Sequence, residues 1–274
     1  MVKNFISLPG VSNARELGGY PVGDSVIRKG VLIRSGNLVN AKPEAVLTLR
    51  ETYHVQTVID FRSKDKRKNN SDAVIPGAES IGLPVVETMD YASMLKNPLH
   101  LPKLMTKKKD KKAVLEASYE YGLLGPEMYL VFLLRNRGKK AFRNFFRILL
   151  DSDPAKGAVL WHCDDGKDRA GIATMLFLSA LGADRETILC DYLYTNECNA
   201  AVIEEVKKEY ESFGISGDKL NAMIYASGGV FEQYMNHAID TLIDRYGSVK
   251  GYLQAELRLT EEDFTQLKGK YLIH

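Results

Sequence analysis

GAVLWHCDDGKDRAG occupies residues 157–171. A short apolar run, Ala158 to Trp161, leads into His162 and Cys163, and five residues separate that cysteine from Arg169. An apolar run this short, bounded by a glycine and a polar loop, predicts a buried strand over 158–163. The next segment, AGIATMLFLSAL (170–181), predicts a helix stopped by Gly182. The cysteine therefore ends a strand and the arginine opens a helix. That order belongs to an α/β protein.

The flanking sequence extends the pattern. Residues 55–61 (VQTVIDF) are β-branched and apolar and predict a second buried strand, and ESIGLPV (79–85) predicts a third. PEAVLTLRETY (43–53) opens with Pro43 and spaces Val46, Leu47 and Leu49 like a helix. Residues 22–35 (VGDSVIRKGVLIRS) alternate between Gly-Asp and Lys-Gly breaks and predict a hairpin. Helical patterns dominate beyond 182, with glycine-rich breaks at 214–217, 228–229 and 247–251. The expected fold is α/β, with a central, mostly parallel sheet flanked by helices and a helical C-terminal third. The apolar flanks of a lysine-rich run (103–112) predict a helical cap over the site, formed by an insertion at 88–135 within one domain spanning 1–274. The run holds six lysines against one aspartate, a composition most often found on solvated surface.

Composition narrows the function. Of the 274 residues, 45% are hydrophobic and 26% charged, as in ordinary globular proteins. A net charge of +2 argues against nucleic acid as a partner. The apolar stretch 170–182 is too short to span a bilayer, so no stable membrane anchor is expected. Cys163, Cys190 and Cys198 have neither disulfide-scaffold nor zinc-like spacing, which suits a reduced, cytoplasmic chain. The opening MVKNFISLPG is too weakly apolar for a cleaved signal, though export by another route stays open. His54, His100 and His237 lack metal-ligand spacing, and no metal or cofactor is expected.

A free cysteine has a pKa of roughly 8.5, so it is mostly thiol at neutral pH. Three features of the loop are expected to lower that value for Cys163. The helix N-terminus aims positive charge at the sulfur. Gly166 lets the loop curl, so that successive backbone N–H groups form an anion nest. Arg169 offers a planar fork for two oxygens of a phosphate. The expected chemistry is in-line attack of the thiolate on phosphorus, with the N–H groups and Arg169 stabilising the equatorial oxygens.

HCDDGKDRAG resembles the H-C-x5-R signature of the protein tyrosine phosphatase superfamily. Its Gly-Lys-Asp-Arg portion is similar to the atypical bacterial tyrosine phosphatases, some of them secreted and active on phosphoinositides. NARELGGY (13–20), LIRSGNL (32–38), VIDFRS (58–63), DYLYTNE (191–197) and YGSVKGYL (246–253) resemble further blocks of that family in the same order. The resemblance implies a protein-tyrosine phosphatase working through a cysteinyl-phosphate. Its substrate would be phosphotyrosine in a phosphoprotein, with phosphoserine, phosphothreonine or a phospholipid headgroup as wider options. It makes Cys163 the nucleophile and Arg169 the phosphate grip. Asp164, Asp165, Gly166 and Lys167 complete the phosphate loop, with Lys167 reaching toward a second phosphate. His162 supports the cysteine, and Arg62 is a candidate support, as are Arg15 and Arg34. Asp168 is the favoured proton carrier, and Glu87 or Asp90, after the third strand, is the alternative.

Two residues depart from the family pattern. Ala170 stands where a serine or threonine usually assists release of the thiolate, so breakdown of the phosphoenzyme is expected to be slow. Asp165 stands where alanine is more frequent, and its charge is expected to disfavour polyanionic substrates. Two rival readings follow from the same loop. One is a phosphate-binding pseudophosphatase; the other is a rhodanese-like sulfur carrier.

Overall fold

The computed structural model describes residues 4–87, 90, 111–121 and 123–274. The N-terminal flank of the predicted cap and most of the lysine-rich run lie outside the described residues. The strands are β1 (Arg15–Glu16), β2 (Pro21–Val22), β3 (Ser25–Ile27), β4 (Leu32–Ser35), β5 (Thr57–Asp60), β6 (Glu79–Gly82), β7 (Val159–His162) and β8 (Leu272–Ile273). The main sheet has the order β1-β4-β7-β5-β6. Three of its four pairings place β4, β7, β5 and β6 parallel, and only β1 runs antiparallel, on β4. β7 lies at the centre, with His162 level with Ser35 on one side and Asp60 on the other. The chain crosses from β4 to β5 and returns later to fill the gap with β7. Ligands of parallel sheets gather at the carboxyl ends of strands flanking such a gap, and that is where β7 releases Cys163.

The inner strands β4, β5 and β7 are buried on both faces, which is why they read as apolar runs, whereas the edge strand β6 is exposed to half-buried. Alternate residues serve opposite cores: Leu32, Ile59, Val159 and Trp161 face one, and Ile33, Val58, Ala158 and Leu160 the other. The second core is closed by α1 (Pro43–Leu47), which continues as a π-helical turn, Thr48–Thr52, so that the predicted 43–53 helix has two parts. A short α2 (Lys64–Asn69) follows β5.

The larger core holds α4 (Glu127–Leu134), α5 (Asn136–Asp151) and α6 (Arg169–Leu181), after α3 (Lys111–Glu120). Helix α5 has no counterpart in the sequence reading, although Phe142, Phe145, Phe146 and Leu149 recur at helical spacing and are all buried. Phe145 meets Trp161 edge to face, with ring centroids 5.3 Å apart. Helix α6 is buried almost throughout, and Gly182 ends it at φ 94°. The C-terminal third comprises α7 (Arg185–Cys198), α8 (Ala200–Ser212), α9 (Gly217–Ser227), α10 (Glu232–Tyr246), α11 (Val249–Ala255) and α12 (Glu261–Tyr271). Leu115, Tyr119 and Leu124 pack on Tyr210, Leu220 and Met223 of α8 and α9 in a separate cluster.

The hairpin predicted over 22–35 is shorter than expected. β2 and β3 do pair across Gly23 and Asp24, but β3 then pairs with β8 rather than with β4. A turn at Gly30, φ 76°, breaks the alternation. Residues 32–35 are buried on both faces, so this segment belongs to the central sheet and not to a surface ribbon.

Candidate active site

Cys163 is 1% exposed and begins a loop that Arg169 closes at the first turn of α6. The loop's backbone carbonyls are all held from outside. The Cys163 carbonyl faces His162 Nδ1 at 3.1 Å. Asn37 donates to the Asp164 carbonyl from both its backbone N–H (2.9 Å) and its side chain (2.8 Å). Asn13 Nδ2 donates to the Asp165 carbonyl at 3.0 Å. Arg34 donates to the Gly166 carbonyl at 2.8 and 3.2 Å and to the Lys167 carbonyl at 3.3 Å. In a trans peptide the next N–H points opposite to the carbonyl. The N–H groups of residues 164–168 are therefore turned to the concave side, which is the geometry of an anion nest. Gly166 makes the turn at φ 68°, and a Cβ there would lie 2.4 Å from the Ser35 backbone. Only glycine fits that position.

Behind the loop lies a buried charge cluster. Arg15 and Arg34 are 0% exposed, and both bond the Asp191 carboxylate. Arg15 Nε is 2.8 Å from Asp191 Oδ1, which also accepts from the Tyr20 hydroxyl at 3.0 Å. Arg15 further donates to Asn13 Oδ1 at 2.6 Å, fixing the asparagine that holds Asp165. Burial works against the Asp191 charge, but Arg15 and Arg34 outweigh it and hold the carboxyl below its usual range. Two guanidiniums share one carboxylate, so this cluster carries a surplus positive charge under the nest. Burial and repulsion from Arg15 push Arg34 below its ordinary value.

A second cluster holds the strand end. Asp60 takes Arg62 as a fork, with Nε and Nη2 at 2.7–3.0 Å, and Asp72 Oδ2 accepts from Arg62 Nη2 at 2.6 Å. His162 Nε2 lies 3.2 Å from the same Asp72 oxygen. The ligand atoms of Asp60, Asp72 and His162 are within 4.8 Å of one another, close enough to suggest a metal. The Arg62 guanidinium already occupies the carboxylates and supplies the positive charge, so the donor set does not call for an ion.

Asp168 stands at the N-cap position of α6, but its side chain turns to neighbouring helices rather than to the helix N–H groups. Its Oδ1 accepts from the hydroxyls of Tyr129 and Tyr225, each at 2.8 Å. Tyr129 also meets the Tyr192 hydroxyl at 2.7 Å. Burial first, and then the Asp168 charge, raise all three tyrosines well above their usual pKa. Tyr129 and Tyr225 remain protonated donors to that carboxylate, and Tyr192 bonds the Tyr129 hydroxyl. Two separate helices thus reach Asp168, α4 through Tyr129 and α9 through Tyr225.

The electrostatics of the loop differ from expectation. The Cys163 thiol is raised, not lowered, because its burial outweighs the Arg169 charge and the hydrogen bond from the Ala170 N–H, while Asp168 and Asp164 add to the rise. Arg169 Nη2 is itself paired with Asp164 Oδ2 at 2.7 Å, which spreads its charge onto another partner. Against burial, Arg169 and then Lys66 hold the Asp164 carboxyl below its usual range. The Asp165 side chain is exposed. Desolvation in the crowded loop and the neighbouring acids Asp168 and Asp164 raise its carboxyl despite Lys167. Lys167 does not reach outward to a second phosphate. It is 2% exposed; its ammonium donates to the Tyr225 carbonyl, lies 3.3 Å from the Gly229 carbonyl, and stands 3.9 Å over the Tyr225 ring. Desolvating the lysine is offset by two carbonyls and an aromatic face, which α9 and the turn after it provide, and by the Asp168 carboxylate, whose Oδ2 is 3.6 Å from the ammonium.

Sequence comparison places this geometry. The tyrosine phosphatase family matches residues 6–273. The chain belongs to that family. A Cupriavidus necator protein named among the tyrosine-protein phosphatases is 32% identical over 96% of this chain and 86% of its own length. The triple specificity protein phosphatase PtpB of Mycobacterium tuberculosis is 24% identical over 97% of this chain and 98% of its own. The protein is a protein-tyrosine phosphatase, which sets aside the sulfur-carrier reading.

Not all of the phosphatase's predicted residues meet. Glu87 and Asp90 engage each other and the neighbouring helices. Glu87 Oε1 accepts from the Lys64 N–H at 3.2 Å, and Asp90 Oδ2 pairs with Arg137 at 2.7 Å. Neither contact runs to the loop. Arg34 grips the loop directly, whereas Arg15 and Arg62 act through Asn13 and through Asp72 with His162. Cys190 and Cys198 are half-buried free thiols. The sequence reading missed Asn13, Asn37, Asp191 and Tyr225 as members of the site. Asn13 and Asp191 stand in the blocks NARELGGY and DYLYTNE, which meet only across the fold. No local signal marked Tyr225, in AMIYASGG.

Proposed function

We propose that the enzyme hydrolyses phosphomonoesters through a cysteinyl-phosphate on Cys163, with phosphotyrosine as its leading substrate. The observation that carries this reading is the set of outward-held carbonyls at residues 163–167, which turns consecutive N–H groups around the sulfur. The ester phosphate binds in that nest against Arg169. The Cys163 thiol passes its proton to the Asp168 carboxylate, the thiolate attacks phosphorus opposite the leaving oxygen, the P–O bond breaks, and Asp168 delivers that proton to the leaving oxygen. Water then attacks phosphorus as Asp168 takes its proton, the P–S bond breaks, and phosphate leaves. Tyr129 and Tyr225 position the Asp168 carboxyl. The nest, Arg169 and the surplus charge of the Arg15–Asp191–Arg34 cluster stabilise the equatorial oxygens of both transition states.

The thiol of the free enzyme is raised, so the reactive anion forms together with phosphate binding and the movement of nearby charge. His162 and Arg62 serve the reaction by fixing the end of β7 rather than by touching substrate. With Lys167 turned inward, the loop offers no second ammonium beside the phosphate, which favours phosphotyrosine over polyphosphorylated inositol lipids. The name of the M. tuberculosis relative records three specificities, which makes phosphoserine or phosphothreonine peptides part of the same reading. The test is a panel of p-nitrophenyl phosphate, phosphotyrosine and phosphoserine peptides and phosphoinositides. It is assayed with the wild type, Cys163→Ser and Asp165→Ala. Turnover lost in Cys163→Ser with phosphate binding retained is expected. Full activity in that variant would remove the cysteine mechanism, and binding without turnover in the wild type would make the protein a phosphate binder.

A further inference from the structure

The arginine expected to receive substrate phosphate already holds an oxyanion supplied by the chain. Asp164 follows the cysteine directly, and its Oδ2 sits 2.7 Å from Arg169 Nη2. The other oxygen, Oδ1, is 3.4 Å from the ammonium of Lys66, an exposed lysine on α2. The Asp164 backbone is fixed independently, since Asn37 holds its carbonyl by two hydrogen bonds. Its side chain is therefore free to change partners without disturbing the loop. A carboxylate cannot share one face of a guanidinium with a phosphate dianion in a half-buried cleft without strong repulsion.

From this geometry we infer that Asp164 is an internal competitor for the phosphate position on Arg169, with Lys66 as the site that receives its carboxylate when substrate binds. This rests on the reading of the loop as a phosphate site and adds a specificity-determining pair to it. In the free enzyme the carboxylate neutralises Arg169 and adds to the burial that keeps the thiol protonated. An incoming phosphate dianion takes Arg169, Asp164 swings to Lys66, and the nearby negative charge moves outward from the sulfur. The device selects against weakly charged or monoanionic ligands, which bring too little charge to displace the carboxylate. Arg169 is then available only to a ligand that out-competes an internal one.

The test uses inorganic phosphate as probe, with its dissociation constant measured by calorimetry on the full chain at neutral pH. Asp164→Asn is expected to bind phosphate roughly tenfold tighter than the wild type and to speed iodoacetamide alkylation of Cys163. Lys66→Ala, an exposed change that leaves the fold intact, is expected to weaken phosphate binding about threefold. The Lys66 effect should vanish in the Asp164→Asn background. Equal or weaker phosphate binding by Asp164→Asn overturns the inference and makes Asp164 an aid that orients Arg169. An Asp164→Asn effect with an unchanged Lys66→Ala variant overturns the transfer to lysine. Binding is read without turnover, so failure of the cysteinyl-phosphate mechanism would appear separately, as hydrolysis that survives in Cys163→Ser.

Discussion

Asp191→Asn is the sharpest probe of how the fold supports the loop. The carboxylate is 1% exposed and stands between two guanidiniums that are 0% exposed. Asparagine keeps the shape and one acceptor, but it leaves Arg15 and Arg34 as adjacent buried cations with no anion. Removing one partner of a buried ion pair typically costs about 3–5 kcal/mol, and here two cations lose the same partner. For a chain of this size that predicts a fall in Tm of roughly 6–20 °C. The loss should also reach catalysis, because Arg34 holds the Gly166 and Lys167 carbonyls at 2.8 and 3.3 Å. The expected signature is a lowered kcat for p-nitrophenyl phosphate at temperatures where the variant is still folded. The pH dependence has a definite sign. Asp191 is depressed in the folded state, so its contribution is complete above about pH 4, the ordinary carboxylate range, and disappears as pH falls through the folded value. The wild type and the variant should therefore differ by a constant amount near neutrality and converge in acid. Thermal unfolding followed by circular dichroism at several pH values reads both effects. A loss below about 1 kcal/mol at pH 7 would refute the reasoning, because it would mean that the two arginines find other compensation.

Gly166→Ala should remove activity while leaving most of the fold, because the added methyl would press within 2.4 Å of the Ser35 backbone at a φ of 68°. Wild-type kcat from this variant would show that the loop tolerates another path. Alkylation of Cys163 by iodoacetamide in the free enzyme should keep rising with pH beyond about 8.5, since burial raises the thiol. A plateau reached below pH 7 would contradict that direction. Ala170→Ser places a hydroxyl one residue after Arg169, next to an N–H that already donates to the sulfur. Rapid-quench kinetics should show a smaller phosphoenzyme burst and a higher steady-state kcat; an unchanged burst would mean that thiolate release does not limit turnover.

Strand β7, the loop and α6 were legible because each is specified by adjacent residues: an apolar run, a five-residue gap with one glycine, and a buried helix ended by Gly182. Strand β4 was harder. Its LIRS sequence continues an alternating stretch, and nothing local says that it leaves β3 for β7. The lining of the site was harder still. Arg15 and Asp191 are 176 residues apart in the chain, and Tyr129 and Tyr225 arrive at Asp168 from two different helices. Pairings of that separation leave no periodicity to read.

The sequence by itself determined which atoms are delivered together: a sulfur, a chain of N–H groups and a guanidinium, at a spacing that only a glycine turn can close. Tertiary structure alone decided their charge state and direction. Whether Cys163 is raised or lowered depends on a sum of burial and neighbouring charges from every element that packs on the loop. Lys167 points inward because α9 and the turn after it present carbonyls and a ring. Arg169 meets Asp164 because the fold brings that carboxylate to 2.7 Å from its guanidinium, with the Lys66 ammonium farther off at 3.4 Å. Desolvation and counter-charge belong to the assembled site, so a linear reading supplies their participants but not their balance.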